Sequence, residues 1–216
     1  MQSTHTLLLS TACFGPASYF AAIAGAGEVL IEANETYPKQ TWRNRYRIAT
    51  ANGLLDLTVP VVKVNGNHTK ISEILISEHE DWQKLHWRAI ESAYKHAPFF
   101  MYYEDAIKPF YEEKQSGLLE FNLAVTKTIL KLIGFSVEQK LTESYDHKPG
   151  GNITDLRTTF SPKKEPAINF PRYLQVFEER HEFQPNLSIL DLLFNLGPET
   201  GQYLREVAEG FNENIR

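Results

Sequence analysis

Apolar and polar positions alternate between two periods along this chain, and the switches between them mark its elements. Thr6 to Ala12 is a short apolar run closed by Gly15-Pro16, which predicts a fully buried strand. Ala17 to Ala24 follows a proline suited to a helix start and ends at Gly25-Ala26-Gly27. Glu28 to Ala33 is a second apolar run. Together they predict a strand–helix–strand unit that opens a parallel sheet. From Trp42 to Ile48 the period falls to two, and Asn52-Gly53 is a strong hairpin signal. Leu54 to Val62 reads as the return strand, with Leu55, Leu57 and Val59 on one side. Ile71 to Ile76 reads as a further strand.

Helical spacing takes over at His79 to His96, where Trp82, Leu85, His86, Ala89, Ile90 and Ala93 mark one face. A second helix is expected over Tyr102 to Glu113. A third runs over Leu118 to Ile133, stopped by Gly134. Phe135 to Ser144 and Leu174 to Phe177 read as short strands. Ser188 and Asp191 resemble a capping box before an apolar helix that ends at Gly197-Pro198, and a last helix runs from Pro198 to Phe211. Between them, 146–171 is polar and holds four prolines and Gly150-Gly151. A structureless segment of this length is a mobile lid or a solvated linker. The expected fold is α/β, a single domain over residues 1–216 with a mixed sheet flanked by helices and a β-hairpin carrying a basic stretch.

Charge changes this picture at one place. Over 216 residues, 22 Lys and Arg oppose 27 Asp and Glu, a net charge of −5. Yet Lys39, Arg43, Arg45 and Arg47 fall within nine residues that hold no acid. They follow a predicted strand end that carries Glu32 and Glu35, and ligands bind at the carboxyl ends of parallel strands. The arginines either clamp a carboxylate or phosphate or pair with Glu32, Glu35 or Asp56. In a regular strand Arg43, Arg45 and Arg47 share a face; a bulge would part them.

Cys13 is the only cysteine, so no internal disulfide and no cysteine-based zinc site is expected. Gly25-x-Gly27 follows a helix rather than opening one, so it is no dinucleotide fingerprint, and no cofactor is expected. No Lys or Arg precedes the first apolar run, and Gly15-Pro16 interrupts it, so neither a signal peptide nor a membrane span is expected. The net acidity argues against nucleic acid as a partner. A small anionic substrate bearing phosphate or carboxylate remains.

The order and spacing of WRNRYRI with its Asn-Gly turn, LTVPV, ISEILIS, WQKLHWRAIESAYKHAPFF and LSILDLLFNLGPE resemble the WbqC-like protein family, from Leu7 to Glu199. Lys39, Arg43, Asn44 and Arg45 match its lysine followed by Arg-Asn-Arg. The resemblance implies a bacterial, cytoplasmic protein near surface-polysaccharide assembly. It further implies a transferase acting on a nucleotide-linked or glycan precursor. The alternative is a non-catalytic protein that binds an anionic metabolite. Family members often begin with a His-Gln-Pro-Asn-Tyr-Leu-Pro strand end. Here Ser10 to Phe20 retains Pro16, Tyr19 and Phe20 but lacks the His, Gln and Asn.

The candidate catalytic residues are His86, as proton carrier, and Asp191. Lys39, Arg43, Asn44, Arg45, Tyr94 and Asn195 are candidate substrate-binding residues. His86 on an apolar helical face is equally a core residue, Tyr94 eight positions on shares its face, and Asp191 and Asn195 lie four apart on an otherwise apolar helix.

Overall fold

The structure, a computed structural model, describes residues 6–78, 81–164 and 168–215. Strands β1 (Thr6–Ser10) and β2 (Glu28–Glu32) pair in parallel across helix α1 (Ala17–Ala24), as the apolar runs predict. Leu7, Leu8 and Leu9 of β1 are all buried, the mark of a strand covered on both faces. The chain then leaves the sheet for a long excursion. It forms the hairpin β3 (Arg45–Thr50) and β4 (Gly53–Thr58), the short pair β5 (Val61–Val62) and β6 (Leu75–Ile76), and four helices. These are α2 (Trp82–Tyr94), α3 (Phe100–Ile107), α4 (Pro109–Glu112) and α5 (Leu118–Leu132).

It returns as β7 (Gln139–Leu141), parallel to β2, and then crosses to the far edge as β8 (Ile153–Asp155), parallel to β1. The strand order is β7-β2-β1-β8. The chain therefore winds outward from β1 on one side and comes back to its other side. The gap between the carboxyl ends of β1 and β8 is the switch point where open α/β sheets receive ligands. Helices α6 (Glu178–His181), α7 (Ile189–Leu196) and α8 (Thr200–Ile215) complete the chain. A parallel sheet with helices and a separate antiparallel hairpin make the fold α/β, and one buried apolar cluster runs from Leu7 to Val207.

Several local expectations change. The segment 146–171 is not structureless throughout, because Ile153–Asp155 pairs with β1 and the Leu156 amide donates to the Leu8 carbonyl at 2.9 Å. Ile71–Glu73 is a 3₁₀ turn, and only Leu75–Ile76 is strand. Leu174 to Phe177 forms no strand. The second predicted helix is two, α3 and α4, because Pro109 opens a new first turn. Leu85 is 59% exposed, so the buried stripe of α2 is Trp82, His86, Ile90, Ala93 and Tyr94. His79 lies outside the described residues. Among those residues, no helix is long and apolar enough to cross a membrane.

Candidate functional site

Strand β3 begins at Arg45, so Arg43 sits in the preceding turn. That turn separates the arginines. Arg45 and Arg47 share the half-exposed face of β3 while Tyr46 and Ile48 point inward. Both pair with Asp56 across the hairpin, Arg47 at 2.7 Å and Arg45 at 3.5 Å. Two guanidiniums thus share one carboxylate, and Arg47 also stacks over Trp42, 5.5 Å from its ring centre. Lys39 is exposed in the loop before the turn. Asn44 donates through Nδ2 to the Val59 carbonyl at 2.8 Å and so ties the hairpin's base.

Arg43 turns inward and is 6% exposed. Its Nε and Nη2 each donate to Glu35 at 2.7 Å, a bidentate fork, and Nη2 also donates to Ser10 Oγ. Nη1 hydrogen-bonds none of the described residues. Ser10 ends β1, and its hydroxyl faces the Arg157 carbonyl at 3.0 Å and Glu35 at 3.2 Å. Arg157 follows β8 and is equally buried. Its Nη1 donates to Glu32 at 3.0 Å, while Nε and Nη2 hold Asp155 at 2.9 and 2.7 Å. These bonds keep the Asp155 carboxyl below its ordinary value. Glu32 ends β2 with no exposure, and Thr142 Oγ1 and the Asn34 amide both donate to it at 2.8 Å. The buried carboxylates of Glu32 and Glu35 are thereby partnered, and the more exposed Asp155 is held by Arg157 as well.

A crevice of about 10 Å³ lies between the β1 and β8 ends. Ser10, Thr11 and Ala12 form one side, and Leu156, Arg157 and Phe160 the other. Trp42, Arg43 and Tyr19 of α1 complete it. Tyr19 is 2% exposed, yet its hydroxyl has no hydrogen-bond partner among the described residues. Burial pushes the phenol's pKa upward, while Arg43 opposes the shift and Glu35 adds to it. The phenol therefore stays protonated, a donor and acceptor with nothing to bind. The loop that carries the β1 end is held in an unusual shape. Phe14 adopts φ 39° and is pinned by packing on Tyr46, Tyr111, Phe110 and Phe121. Such a conformation in a non-glycine residue persists only where the surroundings over-determine it.

The other predicted residues stand elsewhere. His86 is 5% exposed among aromatic rings, with Nδ1 3.0 Å from Tyr46 Oη and Trp82 5.2 Å away centre to centre. Tyr46 also meets Tyr111 at 2.9 Å. Burial holds the imidazole down to about 4, with a backbone hydrogen bond at Thr58 opposing. Burial among these rings thus disfavours its charged form. Asp191 and Asn195 do come together with Tyr94. Tyr94 donates to Asp191 Oδ1 at 2.9 Å, and Asn195 donates to the Asp191 carbonyl at 2.8 Å. Tyr173 and Gln175 complete the carboxylate's partners. Burial raises the Asp191 pKa, and among the described residues no cation is one of its partners. Ser188 caps α7 alone, accepting from the Leu190 amide, while Asp191 points into the core. Neither Asp191 nor His86 lines the crevice.

Sequence reading missed Tyr19, Ser10 and the pairing of Arg157. Asp155-Leu-Arg157 directly after a short half-apolar run was the available signal for the last. A second, more open groove of about 350 Å³ runs beside α2 and α4, past Asp81, Trp82, Glu112 and Lys114. Among the described residues no cluster of three or more His, Cys, Asp or Glu is placed to hold a metal ion.

These features define an α/β protein with a buried, ion-paired crevice at the switch point of a parallel sheet. The chain belongs to the WbqC-like protein family, whose profile matches residues 13–165. That match takes in Trp42, Arg43, Arg157 and Phe160 and stops before α7, short of the Glu199 to which the motif resemblance extends. Among its relatives, the uncharacterized protein Rv1507c of Mycobacterium tuberculosis (strain ATCC 25618 / H37Rv) is 33% identical over 214 residues. That alignment covers 87% of this chain and 91% of the relative. No solved structure matches the chain.

Proposed function

We propose that this protein is a cytoplasmic transferase acting on an anionic nucleotide-linked or glycan precursor of bacterial surface polysaccharide. The observation that carries the reading is the crevice. Two residues with unused bonding capacity, Tyr19 through its hydroxyl and Arg43 through Nη1, line a space at the sheet's switch point. A buried hydroxyl left unpartnered costs roughly 1–3 kcal/mol, which a ligand's hydrogen bond would recover. The reactive end of the precursor enters the crevice. Its charged remainder lies over the hairpin face, where Lys39 is exposed and Arg45 is half-exposed. Trp42 joins the two regions, since it lines the crevice and carries Arg47 on its ring.

A specific observation favours a second reading, a non-catalytic binder of an anionic metabolite. The glutamates that pair with the crevice arginines, Glu35 and Glu32, are already engaged, and His86 lies outside the crevice. The two readings part on turnover. Nucleotide sugars and lipid-free glycan precursors are incubated with the protein, alone and in donor–acceptor pairs, and products are followed by mass spectrometry. The transferase reading expects a product whose formation is lost in Arg43→Lys. Saturable binding with no product from any pair contradicts it and leaves the binder.

A further inference from the structure

The crevice also limits what part of a ligand enters it. We infer that the entering group is a single uncharged hydroxyl of a sugar or polyol ring, not a phosphate or carboxylate. The inference rests on the reading above that the crevice is the ligand site.

Three observations carry it. The first is size: about 10 Å³ admits one oxygen-sized atom, whereas a phosphate brings a tetrahedron and a carboxylate a pair. The second is charge. Arg43 is held bidentately by Glu35, and Arg157 by Glu32 and Asp155, so two guanidiniums face three carboxylates. The network is already satisfied and carries one net negative charge. An anion held at Arg43 Nη1 would bring a further negative charge beside buried Glu35 with no additional cation to offset it. The third is bonding. Arg43 Nη1 offers donors only, while Tyr19 Oη donates and accepts. A hydroxyl satisfies both at once, accepting from Arg43 while giving its proton to Tyr19. Phe160 meets Tyr19 edge-on at 5.6 Å and is half-buried. Its ring offers an apolar wall to the C–H face of the ring that bears the hydroxyl.

The test separates failure of the inference from failure of the site. Melting temperatures are recorded for the wild type, Tyr19→Phe and Phe160→Leu with neutral hexoses, with adenosine and uridine as sources of ribose hydroxyls, and with inorganic phosphate and pyrophosphate. Tyr19→Phe removes only an unpartnered hydroxyl, so its own melting temperature should equal or exceed the wild type's. A hexose or nucleoside should raise the wild-type melting temperature by about 2 °C or more at millimolar concentration. That rise should vanish in Tyr19→Phe and shrink in Phe160→Leu, and whether hexose or nucleoside produces it names the ring. Phosphate or pyrophosphate stabilising the wild type in a Tyr19-dependent way would overturn the inference but keep the site. Stabilisation unaffected by Tyr19→Phe, or none with any probe, would overturn both.

Discussion

At the scale of residues, the four-residue basic cluster divides by environment rather than by sequence. Arg45 and Arg47 are half-exposed and share Asp56, and each exposed pair of this kind adds about 1 kcal/mol or less. Arg43 is buried against Glu35. Arg43→Ala strands a buried carboxylate, and urea denaturation should show a loss of about 3–5 kcal/mol. Arg47→Ala should cost about 1 kcal/mol or less by the same measurement. A comparable loss from the two variants would contradict the division.

His86 gives the second prediction at this scale. Its folded pKa, about 4, lies below its ordinary 6.5. Between those values the unfolded chain binds more protons, so stability is full above pH 6.5 and is lost as pH falls through 4. The loss should be on the order of 3 kcal/mol. Asp191, raised by burial, acts in the opposite sense, its contribution falling as pH rises from the ordinary carboxylate value. The comparison that isolates His86 is therefore the wild type against His86→Gln, whose acid limb should be shallower.

At the scale of elements, the turn after α7 is set by backbone geometry. Gly197 has φ 54°, and a Cβ there would lie 2.5 Å from the Phe99 ring. Gly197→Ala should cost on the order of 2–4 kcal/mol in denaturant unfolding. Strand β8 supplies a second prediction. In hydrogen exchange the Leu156 amide, bonded to Leu8, should be protected well beyond those of Lys148 and Asn152 on the exposed approach to it. Exchange as fast as theirs would mean that 146–164 moves as one lid.

What the sequence disclosed follows from how local each signal is. The β1-α1-β2 unit and the β3-β4 hairpin were legible because apolar runs, Gly15-Pro16 and Asn52-Gly53 act within a few residues. The strand β8 was not, since Ile-Thr-Asp sits in a polar, proline-rich stretch and is defined by pairing with β1 some 147 residues away. Glu35 was legible as a partner for Arg43 because only eight positions part them. The Arg157–Glu32 pair spans 125 positions and exists only once the sheet closes. Tyr19 was hidden for another reason. In an apolar, alanine-rich helix its ring reads as core, and only the folded surroundings reveal that its hydroxyl has no partner.

At the scale of the whole molecule, the winding of the sheet explains why the crevice forms where it does. The chain leaves β1 toward β2 and β7 and returns to β1's other side, so two strand ends part and their side chains face a gap. The turn before the hairpin delivers Trp42 and Arg43 to that gap, and α1 delivers Tyr19. The proposed ligand site is this crevice and not the larger groove beside α2 and α4. The most direct measurement is a crystal structure of the protein with whichever precursor or sugar most raises its melting temperature. The expected result is a ligand oxygen within hydrogen-bond distance of both Tyr19 Oη and Arg43 Nη1, with Glu35 still on Arg43. A ligand seated instead in the groove along Trp82 and Lys114, with the Tyr19 hydroxyl still unpartnered, would contradict it.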